Sequence, residues 1–286
     1  MKLENKDLKI EFCTPFSDYT GSRFDQLGIC KQVTLHNKST FLTVENFDAN
    51  KKTTGIGLSN EFGIKKPIGF DEASLNESFL KIGVGNIKKT HSTYDFATPY
   101  TFEPCKITIK KISEQKIQFS TQQQLRDYGL NLSKTFSIHE NKLTIDYYLE
   151  NIGAKDIETT EYYHNFFSFN NLNIDPHYFF KSNIYLSPHK IIDQDHILDF
   201  KDQQIQFKNP QESSYYLRQY LTHKEPIKWS LQNKLNGLAV TVHEDFQAER
   251  FAIWGTKHVI SPECFIKIKL QPNQTSQWSR VYTFTN

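Results

Sequence analysis

Lys142-Leu143-Thr144-Ile145-Asp146-Tyr147-Tyr148-Leu149-Glu150 alternates apolar and polar residues from its first position. Successive side chains of an extended chain point to opposite faces, so Leu143 and Ile145 share one side and Thr144 and Asp146 the other. At the paired tyrosines the alternation is expected to change phase. The same period-2 pattern recurs in Lys106–Lys110, Lys116–Ser120, Phe265–Leu270 and Trp278–Phe284. Ile227–Gln232 and Leu238–Val242, separated by Asn233–Gly237, form the pattern of a hairpin. Trp278–Phe284 is the candidate closing strand. Ser113–Gln115 and Glu140–Asn141 supply turn chemistry. Helical signal is confined to Asp71–Leu80. Gly55–Tyr100 is the least regular stretch and is expected to run as long loops over a sheet, where functional groups tend to sit. Many short strands and almost no helix indicate an all-β sandwich or barrel. No linker, charge run or repeat divides the chain, so residues 1–286 are expected to form one domain.

Composition narrows the function. The chain has 286 residues, with 34 Lys and Arg against 32 Asp and Glu, a net charge of +2. That balance argues against a nucleic-acid partner, which calls for a basic stripe. With 14% aromatic residues the chain is too rich in core-forming side chains to be disordered. The N-terminus, Met1-Lys2-Leu3-Glu4-Asn5-Lys6-Asp7, lacks the apolar region of a signal peptide, and no apolar run is long enough to span a membrane. A cytoplasmic location is expected. Cys13, Cys30, Cys105 and Cys264 are far apart, without metal-ligand spacing, and are expected to be reduced thiols.

Three stretches carry candidate chemistry. Glu161-Tyr162-Tyr163-His164-Asn165-Phe166-Phe167 sets a histidine in an aromatic run. Aromatic faces stack on the C–H faces of sugars, and His exchanges protons near neutral pH; a hydrogen-bonded core histidine is the plain alternative. Val259-Ile260-Ser261-Pro262-Glu263-Cys264-Phe265 holds a carboxylate among apolar residues, where burial raises its pKa toward that of a general base; a strand-end pair with Lys is the alternative. Gly55-Ile56-Gly57-Leu58-Ser59-Asn60-Glu61-Phe62-Gly63 has neither the Lys-Ser/Thr of a phosphate loop nor the strand–helix setting of a dinucleotide fingerprint.

Taken in order along the chain, these segments resemble the aldose 1-epimerase (galactose mutarotase-like) family. Leu143–Leu149, the turn Glu150-Asn151-Ile152-Gly153 and Tyr163-His164-Asn165-Phe166-Phe167 are similar to its strand, turn and His-bearing aromatic stretch. Ser261-Pro262-Glu263-Cys264-Phe265, Leu270-Gln271-Pro272-Asn273 and Tyr282-Thr283-Phe284 are similar to its closing segment. Gly21-Ser22-Arg23-Phe24-Asp25 and Gly55–Ala73 resemble a less-studied bacterial branch. The resemblance implies a β-supersandwich of large twisted antiparallel sheets, and a cleft for a free sugar. It implies His164 as general acid and Glu263 as general base, opening and reclosing the ring of an aldose so that its α and β anomers interconvert without a cofactor or metal. One-step action calls for a protonated His164 and an ionised Glu263, set several ångströms apart so that a pyranose ring lies between them. The family's second His, its Arg and its Asp have no clear counterparts; Asn60–Gly63 and Lys81–Gly85 stand in that region, and His91 is the only nearby His. Arg23, Glu61, Asp71, Lys81, His91 and Arg126 are the candidate sugar-binding groups, with Trp254 as a stacking platform; for Arg126 a surface pair with Asp127 is the alternative. Trp229 and Trp278 are assigned to the core. Lys81, Lys88 and Lys89 are the cations available to a substrate phosphate. A non-catalytic carbohydrate-binding protein, or an accessory domain of a larger carbohydrate enzyme, would use the same fold. A small-molecule sugar is the expected partner, with no nucleic acid or membrane; an edge strand leaves room for a homodimer.

Overall fold

The computed structural model describes residues 1–48, 50–201, 203–208, 213–222 and 225–286. Among the described residues there are two ten-stranded sheets and a three-stranded one, and every strand pairs antiparallel with its neighbours. The all-β expectation holds. The first sheet runs from the N-terminal strands through Leu58–Phe62, Ile157–Asn165, Val259–Leu270, Arg250–Thr256 and Tyr215–Tyr220 to an edge at Lys190–Ile192. The second has Lys142–Asn151 and Thr275–Thr285 among its inner strands. The main core lies between the two sheets: Phe12 packs on Phe119 and Phe136, Phe62 on Trp278, and Tyr163 on Tyr147. Trp229 and Trp278 are buried there.

Lys142–Asn151 buries Leu143, Ile145, Tyr147 and Leu149 in unbroken alternation. The expected change of phase does not occur, because Tyr147 turns inward to stack on Trp278 at 4.7 Å while Tyr148 stays half-buried on the other face. Thr275–Thr285 lies between Lys142–Asn151 and Ala239–Asp245, an inner position. The Lys228–Asn233 and Ala239–Asp245 hairpin pairs as expected.

Asp71–Leu80 forms no helix. Asn76 takes a positive φ of 71°, the Ser74 backbone N–H donates to the Glu77 carboxylate, and Ser78–Lys81 turns into a strand. Gly55–Tyr100 is more regular than loops: Leu58–Phe62 joins the first sheet, and Ser78–Lys81 and Gly85–Lys88 belong to the three-stranded sheet.

Candidate functional site

The site follows from period 2 applied to one strand. In Ile157–Asn165, Glu161 and Tyr163 turn toward the interior between the sheets, where they meet Arg280 and Tyr147. Tyr162 and His164 must then turn to the outer face of the first sheet, followed by Phe166 just beyond the strand end. Residues 161 and 266 are paired, and so are 167 and 260, which brackets a pairing of His164 with Glu263 on the next strand. Directly opposed residues share a face. Glu263 is opposite Ala252, Ala252 opposite Arg218, and Arg218 opposite Lys190. One row of side chains therefore crosses five strands: His164, Glu263, Ala252, Arg218, Lys190. Flanking rows hold Tyr162, Phe265 and Arg250 on one side and Phe166, Ser261, Trp254 and Tyr216 on the other.

This face floors a cavity of about 350 Å³, walled by Arg23, Glu45 and Phe96 from loops folded over the sheet. Its volume suits a small molecule. A larger hollow of about 530 Å³ lies on the other sheet, lined by groups such as Thr108, Ser120 and Asn131, and holds no His–carboxylate pair.

His164 and Glu263 are 4% and 5% exposed, and Nε2 of His164 is 3.3 Å from Oε1 of Glu263. The pair thus shares one wall of the cavity and is in direct contact. The expected separation wide enough to hold a ring between them is not found, because the sheet register sets the two side by side. His164 stacks on Phe166 at 4.1 Å and meets the edge of Trp254 at 5.3 Å. The Asn165 backbone N–H donates to the Ser261 hydroxyl, which in turn donates to Glu263 Oε1 at 3.2 Å.

Burial pushes the Glu263 carboxyl up to about 8; the Arg23 cation and the Ser261 hydrogen bond oppose the shift without cancelling it. Burial, reinforced by Arg23, holds His164 well below the usual imidazole value. At neutral pH both groups are therefore neutral. This differs from the expected imidazolium and carboxylate, since desolvation penalises each charge more than the neighbours favour it.

Arg23 is the keystone of a second layer. Its Nε donates to Glu61 at 3.0 Å, its Nη1 to both oxygens of Glu45, and its Nη2 to the Tyr162 hydroxyl at 3.4 Å. Glu61 also accepts from Tyr162 at 2.7 Å and from Lys81 at 3.1 Å, and Lys81 donates to Tyr94. Glu61 and Lys81 are buried behind the cavity and fix Arg23 instead of lining the space. Arg23 and Trp254 do line it, with Trp254 half-buried.

Asp71, His91 and Arg126 fall outside the site. Asp71 is exposed and pairs with Lys66; His91 is exposed beside Thr90; Arg126 occupies a hairpin turn at a positive φ of 55° and pairs with Glu77, not Asp127. Lys89 is also committed elsewhere, donating to the carbonyls of Phe70 and Ala73. Glu45, Tyr162, Lys190, Tyr216, Arg218 and Arg250 also line the cavity, and sequence reasoning does not single them out as candidates. Alternation from His164 would have found Tyr162; the others depend on strand order and loop folding, which local sequence does not carry. Among the described residues, no group of three or more His, Cys, Asp or Glu has metal-holding geometry, and no helix is long and apolar enough to cross a membrane.

No family model and no curated protein matches the chain. Solved structures do. A galactose mutarotase related enzyme from Lactobacillus acidophilus superposes with a TM-score of 0.65 over 100% of this chain and 97% of its own, at 14% identity. A galactose mutarotase-like protein from Lactobacillus casei ATCC 334 gives 0.62 over 100% and 99%, at 12% identity. One from Clostridium acetobutylicum gives 0.58 over 99% and 100%, also at 12%. From end to end, this chain has the galactose mutarotase-like fold.

Proposed function

We propose that residues 1–286 act as one domain and catalyse interconversion of the α and β anomers of an aldose, with His164 and Glu263 as the acid–base couple. The observation that carries this reading is the 3.3 Å contact between two buried proton-exchanging groups on the wall of a sugar-sized cavity. Ring opening needs one proton delivered to the ring oxygen and one removed from the anomeric hydroxyl. Both oxygens are bonded to the same carbon, so adjacent acid and base groups reach them together, and no ring need lie between the two.

The couple carries one proton at neutral pH. Transfer across the Nε2–Oε1 contact converts the neutral couple into imidazolium and carboxylate without changing the proton count. In that form His164 protonates the ring oxygen while Glu263 takes the proton from the anomeric hydroxyl. The C1–O5 bond breaks and the open-chain aldehyde forms. Rotation about C1–C2 presents the other carbonyl face, and closure with reversed proton transfers gives the other anomer. Trp254 supplies an aromatic wall for the sugar ring. The Arg23–Glu61–Lys81 layer holds the guanidinium that sets the field around the couple.

The test is polarimetry of freshly dissolved α-glucose and α-galactose, with and without protein. Accelerated relaxation is expected, reduced at least about 10²-fold in His164→Ala and in Glu263→Gln. Unaltered relaxation across a panel of aldoses would instead support a sugar-binding protein without catalysis.

A further inference from the structure

Beyond the acid–base couple, the cavity is lined by Lys65, Lys190, Arg218 and Arg250, together with Arg23. Arg23 is neutralised by Glu45 and Glu61. The other four have no carboxylate within salt-bridge reach among the described residues. Arg250 is the most telling. It is 6% exposed, stacked over Phe265 at 3.6 Å, and its buried Nε has no hydrogen-bond partner among the described residues. A buried guanidinium N–H without an acceptor is costly until one arrives. Arg218, half-buried, lines the same cavity and its Nε donates to His189 Nε2 at 3.3 Å, and Lys190 is opposite Arg218 across the edge strands. Strands lie about 4.8 Å apart, so the backbone of Arg218 is about 10 Å from that of Glu263. With side chains reaching inward, that gap is on the scale of one pyranose ring.

Resting on the reading of the couple given above, we propose that the substrate is a phosphorylated aldose. Its anomeric carbon lies at His164 and Glu263, and its phosphate is held by Arg250, Arg218 and Lys190. Arginine forks match the oxygens of a phosphate, and a neutral hexose would leave these cations without a counter-charge. Of the lysines considered from sequence for this role, Lys81 and Lys89 are bound to protein acceptors; the three cations assigned to the phosphate come from the far strands of the sheet.

Exchange between anomers at equilibrium is measured by two-dimensional exchange NMR with glucose, glucuronate, glucose 6-phosphate and galactose 6-phosphate. One of the phosphorylated sugars is expected to exceed glucose and glucuronate in kcat/KM by at least about 10²-fold. Arg218→Gln and Lys190→Gln, which leave the core intact, should each lower that value at least about tenfold and shrink the preference over glucose. Arg250→Gln should lower it further. Inorganic phosphate should compete with the preferred substrate. Binding is read separately, by Trp254 fluorescence with glucose 6-phosphate in Glu263→Gln. Equal or faster turnover of glucose, or preference for glucuronate, overturns the phosphate assignment and leaves the acid–base reading standing. Tight binding of the phosphorylated sugar without turnover in wild type overturns the acid–base reading and leaves the phosphate assignment standing. Neither binding nor turnover overturns both.

Discussion

Glu263 shows how one buried carboxyl links stability to chemistry. An exposed Glu ionises near 4.5, whereas Glu263 keeps its proton to about 8. As pH rises between those values the unfolded chain loses the proton and the folded one does not, so this group's contribution to stability declines across the window and then levels off. His164 acts oppositely, its lowered value costing stability as pH falls below the usual imidazole range. Of these two groups only Glu263 varies from about pH 6.5 to about 8, at up to about 1.4 kcal/mol per unit and about half that as pH reaches 8. Thermal denaturation over that range should show the Tm advantage of Glu263→Gln over wild type growing with pH. A constant difference would mean that Glu263 ionises normally. The candidacy of Glu263 was legible in the sequence because a lone acid stood in an apolar strand. The resting protonation was not, since it depends on how far Arg23 is already neutralised by Glu45 and Glu61, residues far apart in the chain.

At the scale of the element, alternation within single strands was readable and the pairing between strands was not. Tyr162, His164 and Phe166 follow from counting by two. Arg218 and Lys190 enter the cavity through the register of three further strands, which no local pattern encodes. The misread segment Asp71–Leu80 fails as a helix for a local reason, the positive φ at Asn76. Gly57 is the point at which turn and site meet. It has φ 57°, a Cβ there would lie 2.0 Å from the Cys30 carbonyl oxygen, and its own carbonyl accepts the Phe166 backbone N–H at 2.9 Å. Gly57→Ala should cost at least about 1 kcal/mol by denaturant titration. It should also lower activity, because Phe166 is the ring on which His164 stacks; an unchanged midpoint would show that the turn yields freely.

Across the whole molecule, the strand that presents His164 outward is tied inward by charge. Glu161 accepts two hydrogen bonds from Arg280, at 2.9 and 2.8 Å, and Arg280 Nε is 2.8 Å from Glu244. These groups join the first sheet to the second in the buried layer behind the site. Arg280→Met should destabilise the protein by about 3–5 kcal/mol by stranding two carboxylates. Arg280→Lys should recover part of that, a point charge replacing a fork; equal stability of Arg280→Met and wild type would show the cluster to be dispensable. The sandwich was visible from strand count and amphipathic period, while this ion cluster and the cavity above it arise only when distant strands meet. The proposed function requires the couple at the cavity wall to hold a single proton. The pH dependence of kcat/KM for anomer exchange tests this most directly: the rate should be level near neutrality and fall about tenfold per unit above about pH 8, as Glu263 loses the shared proton. A rate that stays level or rises through pH 9, or that is unchanged in Glu263→Gln, would contradict it.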